Sequence, residues 1–438
     1  MEFTAVIIIL LGAAAAVVAC RGLDARERRY AMIAFAAHVL MSFVHWGLEE
    51  FFYQRVSDAY SYLAIGAGFA RLLDSDFVRY APELARYALH LDNTLPFEMT
   101  ASGTGTMSAI AGFIVFLVGP SLLSVSLFTT WLSWFGQLCF YRVAREELDP
   151  VDHKAALIGL LYVPSVIFWV SGFAKESFTL GFLGILTYST YRAWHARSLL
   201  HLGGVVMGGV GVAMVKPYTL FPFVLGVAAF IYADRAWRDG GPVRIRPAYL
   251  VLALALAVGG VAALGNLFPE LGAEKVAETL SKQQVDWRGT EGGSNIEMVG
   301  GDERTLAQQL EFVPLALANS FFRPFVFEAK NGPALAASLE TTLLTLGLIA
   351  LVGSRHRRLA LDQLFRSPLL VFGAVFVVVL AVAVGLTTSN LGSLSRYRVP
   401  MMPFYALILL VLRRRIKDAE AQSVVLARPL VGGRSRTA

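Results

Sequence analysis

Apolar runs of about 17 to 25 residues recur along the chain, each long enough to cross about 30 Å of hydrocarbon as a helix. Short polar or basic stretches separate them. A closed barrel would instead show alternating segments of about ten residues, and that alternation is absent. The pattern predicts an all-α, polytopic integral membrane protein with about 11 to 13 transmembrane helices and amphipathic external loop helices. The spread comes from one block. Residues Met107–Tyr141 must cross an odd number of times, and Gly119-Pro120-Ser121 reads as a turn that splits them.

Basic residues orient the spans, because Lys and Arg accumulate on the cytoplasmic side. Glu2–Cys20 is the first span and Arg21–Arg29 its cytoplasmic loop, so the N-terminus is expected outside. The Met-Glu-Phe start lacks the positive region of a targeting peptide, so this span reads as a retained helix. Tyr30–Leu48 crosses outward and delivers Glu49–Gly105 to the external face. From the other end, Arg355–Arg358 and Arg413–Arg415 anchor the cytoplasmic side and bracket the spans Ser367–Thr387 and Val399–Leu412. Arg192 with Arg197, and Arg235, Arg238, Arg244 and Arg246, form further cytoplasmic clusters. Ala174–Ser177, Val215–Tyr218, Asn266–Ala336 and Asn390–Pro400 are thereby placed outside.

The chain then divides into an additional N-terminal helix and loop (1–29), a transmembrane domain (30–412) with external loops 49–105 and 266–336, and a basic tail (413–438). Within the larger loop, Glu274–Gln284 reads as a polar helix, Gly289–Gly301 as a mobile glycine-rich stretch and Leu306–Phe322 as an interfacial return. Such a loop is a candidate lid or a plain surface loop. The tail is polar enough to be disordered.

Composition agrees with a membrane origin. Hydrophobic residues make up 56% of the 438 and charged residues 16%, with a mean hydropathy of +0.59; soluble domains carry about 25% charged residues. The net charge of +6 sits beside the spans and gives no reason to expect nucleic acid. Cys20 and Cys139 both lie at span ends and read as helix-packing residues. Walker A, His-Glu-x-x-His and Cys-x-x-Cys patterns are absent.

The chemistry-bearing signal is charge at the external ends of spans. An ionisable group at the bilayer centre costs about 2.5–3.5 kcal/mol, so such groups gather in cavities or pairs. Lys175-Glu176 interrupts the apolar hairpin Pro164–Phe173 and Phe178–Tyr188, and Lys216 separates two spans. Arg323 lies in Phe321–Phe325, and Arg396 and Arg398 open the last span. Asp58 follows an apolar span in Ser57-Asp58-Ala59-Tyr60-Ser61-Tyr62 and falls on the same side. A carboxylate facing several cations suits a reaction with a phosphate leaving group: the acid activates a hydroxyl and the cations neutralise the departing charge. Each cation alone has a bland reading, since interfacial Lys and Arg snorkel to lipid headgroups, and Asp58 alone serves equally as a loop cap. His38, His45 and Glu49 share one helical face; packing between helices outweighs a metal site or proton relay, though His45 and Glu49 lie near enough to the outer end to line a cavity.

The Asp-containing segment Ser57–Tyr62 resembles the first external loop of the GT-C superfamily of integral membrane glycosyltransferases. Pro164–Trp169 running to Lys175-Glu176, Phe322–Phe325, and Ser395–Pro400 are similar to further segments of that group. The resemblance spans roughly Tyr30 to Arg415 as an architecture, through short motifs. It implies inverting transfer of a sugar from a polyprenyl-phosphate donor to a glycan or lipid acceptor, outside an inner membrane, for cell-envelope glycan synthesis. Carried over, Asp58 is the base or acceptor-binding group. Tyr60, Glu176 and Lys216 join the binding set, with Lys175, Arg323, Arg396 and Arg398 as donor-phosphate ligands. The chain departs from the pattern in its additional first helix and in having one acid where a tight acidic pair is usual, so no cofactor follows and a divalent metal is left open. A polysaccharide polymerase or O-antigen-type ligase, and a lipid-linked glycan flippase, are the alternatives. A flippase should carry charges within its spans.

Overall fold

The computed structural model describes residues 3–98, 102–196, 198–238, 311–388 and 390–427. These residues form α-helices and short 3-10 or π turns, with no β-strand among them. In chain order the helices are α1 (Phe3–Ala19), α2 (Ala25–Gly47), α3 (Asp58–Ser75), α4 (Phe77–Ala88), α5 (Ser102–Val118), α6 (Leu122–Glu147), α7 (His153–Leu161), α8 (Pro164–Val170) and α9 (Lys175–Ala196). They continue as α10 (Leu199–Val215), α11 (Leu220–Arg238), α12 (Val313–Phe322), α13 (Gly332–Val352), α14 (Arg357–Phe365), α15 (Pro368–Thr387), α16 (Leu391–Tyr397) and α17 (Met402–Ala427).

Among the described residues, five helical stretches are long and apolar enough to cross a membrane: Ala25–Phe52, Leu122–Glu147, Pro217–Arg238, Gly332–Val352 and Pro368–Thr387. A sixth candidate is the broken pair Pro150–Leu161 and Pro164–Val170, bent by 47°. Pro164 lacks the N–H that a continuous helix would need there. Four shorter apolar helices, α1, α5 (from Gly103), α10 and α12, complete the set. The chain is an all-α polytopic membrane protein. The expected count of about 11 to 13 crossings also draws on residues 239–310. Those residues, with Arg244, Arg246, Glu274–Gln284 and Gly289–Gly301, lie outside the described ones, as does the part of the candidate lid up to residue 310.

Helix ends follow local chemistry. Asp24 and Glu27 form a reciprocal capping box at the start of α2, with Glu27 N–H donating to Asp24 at 2.7 Å. Asn331 caps α13, whose first turn holds Pro333, and Asn390 caps α16 by accepting from the Gly392 and Ser393 N–H groups. The expected turn at Gly119 is present. This residue has φ +85°, which a side chain would strain, and α5 ends just before it.

α6 runs through the middle, packed on α1, α2, α7 and α9. Backbones approach closely where α6 meets α9: a Cβ on Gly184 would sit 2.1 Å from the Gly136 carbonyl oxygen. Phe140 of α6, Phe372 and Phe376 of α15 and Phe404 of α17 interlock at centroid distances of 4.8–6.0 Å and form the heart of the core. A second layer, α3 against α5 with α4 alongside, closes one end. α4 buries Leu84, Tyr87 and Ala88 and exposes Phe77 and Val78, as an interfacial helix does.

Residues 313–322, within the stretch expected to return along the interface, form α12, which docks on α15, with Ala316 and Ser320 buried and Ser320 Oγ donating to the Ala381 carbonyl. One expectation changes. The tail is not disordered from Arg413, because α17 continues to Ala427. Arg414 pairs with Asp418 one turn on, and His356 approaches Glu420 at 3.7 Å, so the polar stretch is held by helical charge pairs.

The basic clusters that the sequence assigns to one face do meet at one end of the bundle. Arg145 and His153 contact Glu27 at 3.0 and 3.3 Å, Arg415 contacts Asp152 at 2.8 Å, and Arg192 contacts Glu146 at 3.2 Å. The helices run from this end to the other, where Asp58, Lys175 and Lys216 lie at helix termini.

Candidate functional site

Four helix ends converge at that second end. After α2 the chain makes a π turn, Leu48–Phe52, and then an extended step at Ser57 before α3 begins. Asp58 is therefore the first residue of α3, where helix N–H groups favour an anion. Its side chain is 62% exposed and meets Arg396 Nη1 at 3.2 Å. Arg396 ends α16, and its Nε makes a charge contact with Glu176 Oε2 at 2.8 Å. Glu176, in the first turn of α9, is 0% exposed and accepts from Lys216 Nζ at 2.6 Å. Lys216, just after α10, is also buried. The result is a continuous chain of charge, Asp58–Arg396–Glu176–Lys216.

Burying a carboxylate is costly unless it is paired, and Glu176 is paired twice. Aromatic rings wall the cations. Lys216 lies 4.7 Å from the centre of the Tyr397 ring and 6.0 Å from Tyr218, and Arg396 lies 5.9 Å from Trp169. Burial pulls the Lys216 ammonium below its ordinary value, with Glu176 working against that pull. For Arg396, burial also opposes the charge, but Glu176 and Asp58 more than offset it and hold the guanidinium cationic. Lys175, the first residue of α9, is partly buried over the Tyr62 ring at 5.9 Å and donates to Thr104 Oγ at 3.3 Å. It has no carboxylate in ion-pair contact among the described residues. Lys175 is thus the least committed cation of the group.

Asp58, Lys175, Glu176, Lys216 and Arg396 are brought together; three expected residues are not. Tyr60 turns away and donates to Glu50, which also binds Arg55. Arg323 pairs with Glu328 instead, through Nε at 2.9 Å. Burial works to raise the Glu328 carboxyl, but Arg323 and the Phe325 N–H outweigh it and hold it below the usual range. Arg398 is 1% exposed, and its guanidinium donates to the Ser320 and Arg323 carbonyls at 3.3 and 2.8 Å and to Thr341 Oγ at 2.6 Å. It clamps α12 and α13 to the start of the last helix, so a phosphate-binding role for Arg398 is withdrawn.

Several residues at the site carry little signal in the sequence. Trp169 and Tyr397 border the site, and Tyr62 rather than Tyr60 faces Lys175. Glu49 is buried within electrostatic reach of Asp58 and Arg396. An acid immediately after an apolar span was its one visible signal. His45 packs against Phe168 and Trp169, and His38 binds the Ala34 carbonyl and Gln137, in keeping with packing roles. Among the described residues no group of three or more His, Cys, Asp or Glu side chains converges as a metal site requires. Asp58 and Glu176 are each engaged by Arg396, a donor set unsuited to a divalent cation.

Comparison of the chain with protein-family models, curated proteins and solved structures finds no match.

Proposed function

We propose that the protein is a membrane glycosyltransferase that transfers a sugar from a polyprenyl-phosphate donor to a glycan or lipid acceptor on the external face of an inner membrane. The observation that carries this reading is Arg396, held by buried Glu176 yet presenting Nη1 to the exposed Asp58. A glycosyl phosphodiester carries one negative charge, and its leaving phosphate gains a second as the bond to the anomeric carbon breaks. Cations fixed at that point stabilise the transition state more than the ground state.

In this mechanism the donor phosphate binds Arg396 and Lys175. It displaces Asp58 from Arg396, and the freed carboxylate accepts the acceptor hydroxyl's proton as its oxygen attacks the anomeric carbon. Polyprenyl phosphate departs from the opposite face, with inversion. Glu176 and Lys216 keep Arg396 aimed and do not touch substrate. The coupling is economical, since the base is released only when donor is bound.

The test is transfer from a synthetic polyprenyl-phosphate sugar by the purified protein in lipid nanodiscs. Asp58→Asn should lower the turnover about 10²- to 10⁴-fold, the usual worth of a positioned base, with donor affinity equal to or tighter than wild type, since the competing carboxylate charge is gone. Full turnover in that variant removes Asp58 from the mechanism.

A further inference from the structure

Beside the charge chain lies a cavity of about 610 Å³, walled by α2 and the segment after it, α8, the 324–337 region and α16. Trp169 belongs to both: it lines this cavity and lies 5.9 Å from the Arg396 guanidinium, while Ser395, next to Arg396, forms part of the same wall. The volume falls within the range of about 300–1,000 Å³ for small-molecule sites. Its lining combines flat aromatic faces, Tyr53, Phe168 and Trp169, with the polar side chains of Glu328, Lys330, Asn331 and Glu340.

Glu340 stands out. It sits in α13, a helix apolar enough to span a membrane, where an ionisable side chain marks a functional position by default. Its carboxylate accepts from the Ser165 N–H at 2.6 Å and Ser165 Oγ at 2.5 Å, with buried Arg398 within electrostatic reach but not in ion-pair contact. A carboxylate has about four lone-pair sites, so acceptor capacity remains. Glu328 on the same wall is already neutralised by Arg323. Buried Arg398 lies within electrostatic reach of Glu340 and Lys330 adds an ammonium to the wall, so sugar hydroxyls would find both acceptors and donors, and C–H faces would find rings.

We propose that this cavity is the subsite for a pyranose unit of the acceptor glycan, an assignment that builds on the glycosyltransferase reading. Trp169 is the partition between the two halves: phosphate chemistry lies on its Arg396 side and sugar recognition on its Glu340 side. An acceptor seated against Tyr53 and Phe168, with hydroxyls on Glu340, would direct its next hydroxyl past Trp169 toward Asp58.

The experiment is saturation-transfer NMR on the full protein in nanodiscs, with cellobiose, lactose and chitobiose as probes and inorganic phosphate as the contrasting ligand. Wild type should bind at least one neutral disaccharide, and Glu340→Gln and Tyr53→Leu should each weaken that binding at least tenfold; if Glu340→Gln does not fold, Tyr53→Leu carries the test. Asp58→Asn should lower transfer about 10²- to 10⁴-fold and leave sugar binding intact. No disaccharide binding in wild type, or undiminished binding in the folded variants, overturns the subsite. If sugar binding and its loss in the variants stand while no polyprenyl-phosphate donor is ever used, the subsite is supported and the transferase reading is what fails.

Discussion

At the scale of single residues, Glu176 is the hub. Its carboxylate is fully buried and contacts two cations, and removing one member of a buried set leaves the others uncompensated. Glu176→Gln is therefore expected to destabilise the protein by about 3–5 kcal/mol, read as a lowered Tm in detergent. Replacing Glu176 and Lys216 together by Gln and Met should recover much of that loss. Arg396 bridges Asp58 and Glu176 with different nitrogens of one planar fork, a geometry a single ammonium cannot reproduce. Arg396→Lys should raise KM for the donor about tenfold or more while leaving the Tm near wild type, the loss of a single charged hydrogen bond being worth about 1.5–3 kcal/mol. An unchanged KM would remove Arg396 from phosphate binding.

At the scale of elements, the site depends on helices meeting at their ends, so contacts far from it set its geometry. α6 and α9 touch backbone to backbone at Gly136 and Gly184, and α9 carries Lys175 and Glu176. Gly184→Val would force the helices apart. Overpacking of this kind typically costs about 1–3 kcal/mol, and here it should lower both the Tm and the turnover. Arg398 holds α12 and α13 to the last helix through three hydrogen bonds. Arg398→Met should therefore lower the Tm while leaving donor KM within about twofold, because direct phosphate contacts, worth about 1.5–3 kcal/mol each, are made elsewhere. A selective rise in donor KM would restore Arg398 to the phosphate site.

At the scale of the whole molecule, the two ends of the bundle differ in chemistry. One gathers arginines with their partners around Glu27 and Asp152, and the other carries the Asp58–Lys216 charge chain. The proposed function requires the second end to face outward. Cys20 and Cys139 are both buried, which gives a quiet background for thiol labelling. In intact cells a membrane-impermeant maleimide should label Val56→Cys, at an exposed position beside Asp58, and spare Lys417→Cys until the membrane is opened. The reverse pattern would place the charge chain on the cytoplasmic face and exclude external transfer.

The sequence alone determined the class of molecule and the place of its charges, because both follow from local physics. Apolar run length sets what can cross hydrocarbon, Gly119 and Pro164 break helices wherever they stand, and Asp24, Asn331 and Asn390 cap helices through contacts with near neighbours. For the same reason Lys175, Glu176, Lys216 and Arg396 were visible as charges at span ends. Which of them meet was decided only by the tertiary structure. Asp58 and Arg396 are 338 residues apart, Lys216 and Glu176 are 40 apart, and no periodicity encodes such pairings. Arg396 and Arg398, two residues apart on one segment, look equivalent in sequence. α16 turns the first toward Glu176 and Asp58, and the second into the packing of α12 and α13. Helix rotation about the packed core separates a candidate ligand from a structural clamp.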